Sequence, residues 1–369
     1  MTEFHVPTID IGPYLVSGAT ARTSPDCAEV ARRIDQACRE VGFMQVTGHR
    51  VADSAIEGLA AALDEFFSLP LERKAAYRRD AGDNRGYAPP KSESLSMSLG
   101  VPPAGMMNDF YEAFTVGAEA GWYPGLDLPR SSYAPNTWPD AAPGFRAAVE
   151  EYFSEVTYIS RVLLTAMADA LGLDPGYFDA MTDHSIDALK MNHYALPEGE
   201  IELAGELMGM GAHTDFGILT VLWADQVPGL QVLGSDRRWH DVQPADGALL
   251  INLGDAMARW TNDRWMSTLH RVNPPIVDGR ILRRRSAAFF FDGNHDAVIE
   301  ALPGCYEPGQ ELYPPITVAE NISAKVAGLK TGRAPAGADR EAARVLAATA
   351  PSSAPAAPSA APARPRVER

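Results

Sequence analysis

The stretch GAHTDFGILTVLWADQVPGLQV, residues 211–232, carries two signals at once. The first is textural. Leu219 to Trp223 and Leu230 to Leu233 are short apolar runs, too brief for stable helices, and Pro228-Gly229 divides them. The same texture extends in both directions, through Leu189 to Tyr194, Ala248 to Leu253 and Ser286 to Phe291, with further turn signals at Asp246-Gly247, Asn262-Asp263 and Asp278-Gly279. Many short strands at this rhythm between about Ile186 and Asp292 predict a barrel or jelly-roll. The second signal is chemical. His213 and Asp215 stand two apart, and on a strand such residues project to one face, so an imidazole and a carboxylate converge without special turns.

His-x-Asp alone is a weak signal in a chain with eight histidines and abundant aspartate. It gains weight from His270, which lies 55 residues beyond Asp215, a gap that lets an antiparallel chain return beside its starting strand. Two imidazoles and one carboxylate on one face of a metal leave open positions, the arrangement of non-haem Fe(II) oxygenases. Fourteen residues after His270 comes Arg284-Arg285-Ser286. By the same parity Arg284 and Ser286 share a face, and a guanidinium with a hydroxyl suits a buried carboxylate, because Arg offers a fixed fork and keeps its charge. Lys190, Asn192 and Tyr194 likewise share one face of one strand; Asn and Tyr can serve the same carboxylate, and Lys190 adds a second positive charge.

Upstream the pattern is helical. Ser24 is a suitable N-cap, Pro25 suits the first turn, and Val30, Ile34, Ala37 and Val41 recur at helical spacing until Gly42. Phe43 to Val46 reads as a strand. Further helices are predicted from about Asp53 to Phe67, from Gly144 to Leu171 and from Val318 to Leu329. A Pro- and Gly-rich region spans Tyr87 to Gly125. No internal repeat occurs. Gly209-Met210-Gly211 is not a dinucleotide loop, since Thr214 stands where a third glycine would be.

Charge and cysteine usage bound the partners. The 369 residues carry a formal net charge of -16. Residues 331–369 contribute +3, so the preceding body is near -19, a sign that argues against nucleic acid and anionic membranes. The Ala-, Pro- and Ser-rich end, from Pro351 onward, is expected to be disordered. Cys27, Cys38 and Cys305 form no metal-binding spacing, and a sparse, odd count fits a reducing compartment. The N-terminus has neither the basic nor the apolar region of a signal peptide, so the expected location is cytoplasmic.

Together these segments resemble the isopenicillin N synthase-like branch of the 2-oxoglutarate- and Fe(II)-dependent oxygenases over about residues 5–330. The segments that carry the resemblance are GFMQV (42–46), Arg85-Gly86-Tyr87, Asn192-His193-Tyr194, residues 211–232, INLGDAMARWTNDRWMSTLHRV (251–272) and RRSAAFFFD (284–292). It implies a mainly β fold with flanking helices, built on a double-stranded β-helix, or jelly-roll, core. It implies Fe(II) on His213, Asp215 and His270. Arg284 and Ser286 would hold the far carboxylate of 2-oxoglutarate, with Asn192 and Tyr194 assisting. O2 is the oxidant, and a small molecule is oxidised by hydroxylation, desaturation or ring formation with release of succinate and CO2. The expected organisation is an N-terminal helical, substrate-entrance region (1–120), a core with supporting helices (121–330, with metal and cosubstrate residues in 183–295) and a tail (331–369). The oligomeric state stays open between a monomer and a weak dimer. Two other readings are an oxidase like isopenicillin N synthase, which draws all its electrons from its substrate, and a non-catalytic ligand-binding relative. Asn192-x-Tyr194 favours use of the cosubstrate, and the complete ligand set favours turnover.

The remaining polar residues receive structural readings. His193 points away from Asn192 and Tyr194 by parity and is expected to be packed or at the surface rather than ligating. His5, His49, His184, His240 and His295 have no partner at ligand spacing and read as hydrogen-bonded or solvated. Strand-end and turn chemistry accounts for Asn252 and Asp255. Phe290 is expected on the Ser286 side, and Arg85, Tyr87, Phe110 and Tyr111 near the substrate entrance.

Overall fold

A computed structural model describes residues 4–17, 23–79, 84–90, 111–195, 209–274, 276–277 and 280–331. The expected tail beyond Thr331, Phe110 and the Asp278-Gly279 turn lie outside the described residues.

In chain order the strands are β1 (Thr8–Asp10), β2 (Phe43–Thr47), β3 (Gly86–Ala88), β4 (Glu112–Gly117), β5 (Ala188–Tyr194), β6 (Met210–His213), β7 (Leu219–Ala224) and β8 (Leu230–Leu233). They continue with β9 (Trp239–Asp241), β10 (Leu249–Leu253), β11 (His270–Val272), β12 (Ile276–Val277), β13 (Arg280–Ile281), β14 (Arg284–Phe291), β15 (Val298–Ile299) and β16 (Ile316–Thr317). The helices are α1 (Gly12–Ser17), α2 (Pro25–Glu40), α3 (Asp53–Phe67), α4 (Leu71–Ala75), α5 (Phe145–Leu171), α6 (Asp179–Thr182), α7 (Asp255–Trp260) and α8 (Val318–Thr331).

Eight strands form one sheet in the order β1-β2-β10-β7-β14-β5-β4-β3, and β6-β11-β8-β9 form a second. The order is far from sequential, as a jelly-roll requires. Strands from the N-terminal third, β1 to β4, are built into the same sheet as the core strands. The sequence places no strand in the Pro-rich region, yet β4 lies there, buried along its whole length and paired antiparallel to β5.

Strand parity divides the large sheet into two faces. On β14, Ala287, Phe289 and Phe291 enter a core shared with α2, α3 and α5, where Phe153 of α5 meets Phe289 edge-on with ring centroids 4.9 Å apart. Ser286, Ala288 and Phe290 face the other way, into a cavity. A second core of Phe43, Tyr194, Met210, Val232, Leu250 and Val272 joins the two sheets. Each class of side chain therefore follows its strand parity, with helices stacked on one face and the cavity on the other.

Local chemistry explains the element ends. The Ser24 Oγ accepts from the Cys27 N–H at the start of α2. At the other end Gly42 takes φ 70° and donates to the Ala37 carbonyl, as a left-handed cap does. A side chain there would strike the Met266 carbonyl and the Thr268 hydroxyl, so this glycine also admits the segment that leads into His270. The described residues contain no helix long and apolar enough to cross a membrane. Cys27, Cys38 and Cys305 are buried free thiols.

Candidate active site

Three side chains meet where the two sheets open. His213 ends β6, His270 begins β11, and the two residues are register partners across antiparallel strands. Their rings lie 4.2 Å apart between centroids. Asp215 follows β6 by two residues, and its Oδ1 stands 3.8 Å from His213 Nε2 and 3.7 Å from His270 Nε2. All three residues are buried.

Neighbouring groups aim each donor atom inward. His213 Nδ1 lies 2.8 Å from the Gly211 carbonyl and His270 Nδ1 lies 3.1 Å from the Thr268 carbonyl. A carbonyl only accepts, so each Nδ1 carries the proton and each Nε2 presents its lone pair to the shared centre. Burial, reinforced by the adjacent His270, pushes the His213 imidazole down to about 3, which keeps it neutral and able to ligate. Asp215 is held by its other oxygen. Oδ2 accepts from Thr220 Oγ1 at 2.5 Å and Asn252 Nδ2 at 2.7 Å, leaving Oδ1 to face the imidazoles.

Asn252 therefore has a more specific task than the strand-end role read from sequence. It pairs with Thr220 across β10 and β7, so two opposed donors converge on one carboxylate oxygen. Asp255 also differs from its reading. It is fully buried, accepts from Thr214 Oγ1 at 3.0 Å, pairs with Lys325 of α8, and donates its backbone N–H to the Asp215 carbonyl. Asn321 of α8 donates to the Phe216 carbonyl. The turn bearing Asp215 is thus clamped by α7 and α8.

The cavity continues from the triad toward β14 and β5, with a volume of about 130 Å³. Arg284 pairs in register with Tyr194, and Ser286 with Asn192; all four line the cavity. The Arg284 guanidinium lies over the Tyr194 ring, 5.2 Å from its centroid, and its Nε donates to the Val227 carbonyl. Its Nη1 is buried with no hydrogen-bond partner, and so is Asn192 Oδ1. An orphaned guanidinium nitrogen in an enclosed cavity is costly without an anion to receive its protons. The Tyr194 hydroxyl lies 4.0 Å from Met210 Sδ. Lys190 faces the same cavity but lies opposite Ala288, four residues along β5 from Tyr194, where it donates to the Tyr111 hydroxyl. The two cations therefore stand at different depths.

The far wall comprises Asn84, Phe216, Phe290, Asp292, Ile322 and Val326. Phe290 takes the side that strand parity predicts. Burial and the nearby Asp187 and Asp215 charges push the Asp292 carboxyl well above its usual range. Among the expected entrance residues, Tyr111 is in the inter-sheet core, Arg85 lines an adjoining cavity that shares Asn84 and Asp292 with this one, and Tyr87 lines neither.

His193 is packed on the opposite face, as expected. It stacks on Phe67, with centroids 4.9 Å apart, and its Nδ1 meets Glu112 Oε1 at 2.9 Å. Lys74 and Tyr87 also bond Glu112. Burial alone would raise that carboxyl, but these partners hold it below its usual range.

Two facing imidazoles, one carboxylate and a buried guanidinium in one jelly-roll cavity define the class of non-haem Fe(II) enzymes that take an oxo-acid cosubstrate. Comparison with known proteins agrees. Residues 6–141 match the family described as non-haem dioxygenase in morphine synthesis N-terminal, and residues 186–293 match the 2OG-Fe(II) oxygenase superfamily. The chain is 35% identical over 324 residues to the 2-oxoglutarate-Fe(II) type oxidoreductase hxnY of Emericella nidulans, covering 86% of this chain and 88% of that one. It is 31% identical over 339 residues to the clavatol oxidase claD of Penicillium crustosum, covering 88% and 96%. A crystal structure of a full-length Neurospora crassa protein in complex with alpha-KG and 5-formyluracil superposes with a TM-score of 0.73 at 28% identity, covering 87% and 96%. The chain belongs to the 2-oxoglutarate- and Fe(II)-dependent oxygenase superfamily and is a 2-oxoglutarate-dependent dioxygenase acting on a small molecule.

Proposed function

We propose that His213, Asp215 and His270 hold the Fe(II), that Arg284 and Ser286 receive the far carboxylate of 2-oxoglutarate, and that Asn192 supports the cosubstrate. Tyr194 acts by holding Arg284. One observation carries this reading: the buried guanidinium nitrogen of Arg284 that lacks a partner shares its cavity with three donor atoms already turned toward one point. When bound, Fe(II) supplies the Lewis acidity and the redox capacity that couple cleavage of 2-oxoglutarate to oxidation of the substrate. The chain's own contribution is positional. Carbonyls of Gly211 and Thr268 fix the imidazole tautomers, Thr220 and Asn252 fix the carboxylate, and the apolar wall limits water near the metal.

The substrate side we assign to the wall formed by Phe290, Ile322 and Val326, with Asn84, Lys190 and Asp292 as its polar groups. An adjoining cavity of about 110 Å³ shares Asn84, Ala188, Asp292, Ile322 and Val326 with the first and extends the available space. A small molecule with an apolar body and a few polar substituents fits this lining. Residues 183–295 serve as the metal and cosubstrate core, with 1–120 on the entrance side. A place in secondary metabolism agrees with relatives such as the clavatol oxidase. Three buried free thiols suit a reducing, cytoplasmic setting.

The decisive test is a succinate-release screen over candidate small molecules with Fe(II) and ascorbate present. Release of succinate, abolished in His213→Ala, is the expected result. Absence of both substrate-dependent and uncoupled succinate release would overturn the assignment.

A further inference from the structure

Outside the cavity, the start of β5 and the end of β14 bring two more histidines together. Ser185 and Asn294 form an isolated antiparallel bridge, and the Ile186 N–H donates to the Gly293 carbonyl. This places His184 beside His295, although 111 residues separate them in sequence. His184 Nε2 lies 3.2 Å from Asp296 Oδ1, and His295 Nδ1 lies 3.6 Å from the same oxygen. The three ligand atoms fall within 4.8 Å of one another. Zn(II) bonds of about 2.0–2.2 Å at tetrahedral angles set neighbouring donors about 3.4 Å apart. The two observed separations bracket that value.

A second feature has the form of a metal site's outer shell. His184 Nδ1 lies 2.6 Å from Asp183 Oδ1, and Asn294 Nδ2 donates to that same carboxylate oxygen at 2.7 Å. An ionised acceptor at Nδ1 puts the proton there and turns the Nε2 lone pair toward Asp296 and His295, as in carboxylate–histidine–metal triads. The Tyr133 hydroxyl donates to the His184 carbonyl and lies 3.4 Å from His295 Nδ1, a long contact that a metal at Nδ1 would replace. A plain ion pair with Asp296 explains the arrangement less well. Asp296 is 64% exposed, where such pairs contribute little, and a pair with His184 gives no reason for His295 to face the same oxygen.

We infer that His184, His295 and Asp296 form a second metal site, suited to a four-coordinate ion such as Zn(II), with water as the fourth ligand. Its position gives it a consequence. The Ala319 N–H donates to the His295 carbonyl, and the Val318 N–H to the Ala297 carbonyl, so the ligand-bearing segment anchors the start of α8. That helix supplies Ile322 and Val326 to the cavity and Lys325 to Asp255. An ion here fastens the helix that closes one wall of the active site.

The test is Zn(II) stoichiometry on the full chain, measured by equilibrium dialysis after chelation at low micromolar free metal. Wild type is expected to hold two equivalents, Asp296→Ser and His295→Ala one each, and His213→Ala one. Asp296 is exposed, so Asp296→Ser tests the site without threatening the core. In the His213→Ala background, Zn(II) should raise the melting temperature, and adding Asp296→Ser should abolish that rise. A single equivalent in wild type, two retained in Asp296→Ser, or an unchanged thermal response in the double variant would overturn the second site. Two equivalents retained in His213→Ala would instead overturn the primary one.

Discussion

Asn252 and Thr220 offer the sharpest test of how the chain prepares Asp215. Both donate to Oδ2, at 2.7 and 2.5 Å, and neither can touch a metal held through Oδ1. Asn252→Ala removes one hydrogen bond to a buried charged group, worth about 1.5–3 kcal/mol. At about 1.4 kcal/mol per tenfold, that is roughly 10- to 150-fold. Independent experience with groups that orient metal ligands gives about 10- to 100-fold in metal affinity, so the two magnitudes agree. The assay is anaerobic Fe(II) titration of the chelated protein, paired with the iron dependence of succinate release. We expect iron affinity to fall by that factor and the KM for 2-oxoglutarate at saturating iron to stay nearly constant, because Arg284 and Ser286 are untouched. Thr220→Val, which keeps the side-chain shape, should give a smaller loss, and the double variant should lose less than the product of the two, since both donors serve one oxygen. Iron affinity within twofold of wild type in the double variant would refute the orienting role.

Other perturbations separate the remaining parts of the site. Arg284→Leu should raise the KM for 2-oxoglutarate at least tenfold, from a lost charge-assisted contact of about 1.5–3 kcal/mol and an unpaired carboxylate; an unchanged KM would remove Arg284 from that role. Lys325→Met removes the cation paired with the buried Asp255, and denaturant unfolding should show a loss of about 3–5 kcal/mol, whereas under 1 kcal/mol would show that the pair does not brace the Asp215 turn. For pH, burial holds His213 neutral in the folded metal-free protein while its unfolded counterpart takes a proton near pH 6.5. The unfolded state thus binds more protons in that window, so acidification from pH 7 toward 4 withdraws stability through this group. The His213 ring resonances should stay fixed from pH 8 to 5, and a titration midpoint near 6.5 would contradict its enclosure.

Legibility in the sequence followed the length of the pattern behind each element. The helices α2, α3, α5 and α8 declare themselves through apolar residues at helical spacing, and their observed limits fall within a few residues of those readings. Strands β5, β7, β8, β10 and β14 were readable as apolar runs between turns. Strand β4 was not, because it sits in Pro- and Gly-rich sequence and is buried on both faces, which erases alternation. The Arg284–Ser286 pair was readable because strand parity is a local rule that needs only two residues of separation, whereas Asp215 lies beyond the end of β6 and His270 meets His213 through the register of β11 with β6.

The missed polar residues have the opposite character. Asn252 reaches Asp215 through register pairing of β10 with β7, Asp255 reaches Lys325 across 70 residues, and His184 reaches His295 across 111. None of these pairs is set by spacing along one strand or helix, so only the closed fold brings them together. A buried Asn beside a core strand still carries a signal. Its amide must find partners or cost about 1–3 kcal/mol, so Asn252 within the apolar run Leu249–Leu253 announces an acceptor somewhere in the core. The same reasoning applies to Asp255 and Lys325, each too costly to bury alone. In this fold, polar residues embedded in apolar runs mark the supports of the candidate metal site, and the partner of each becomes visible only with the topology.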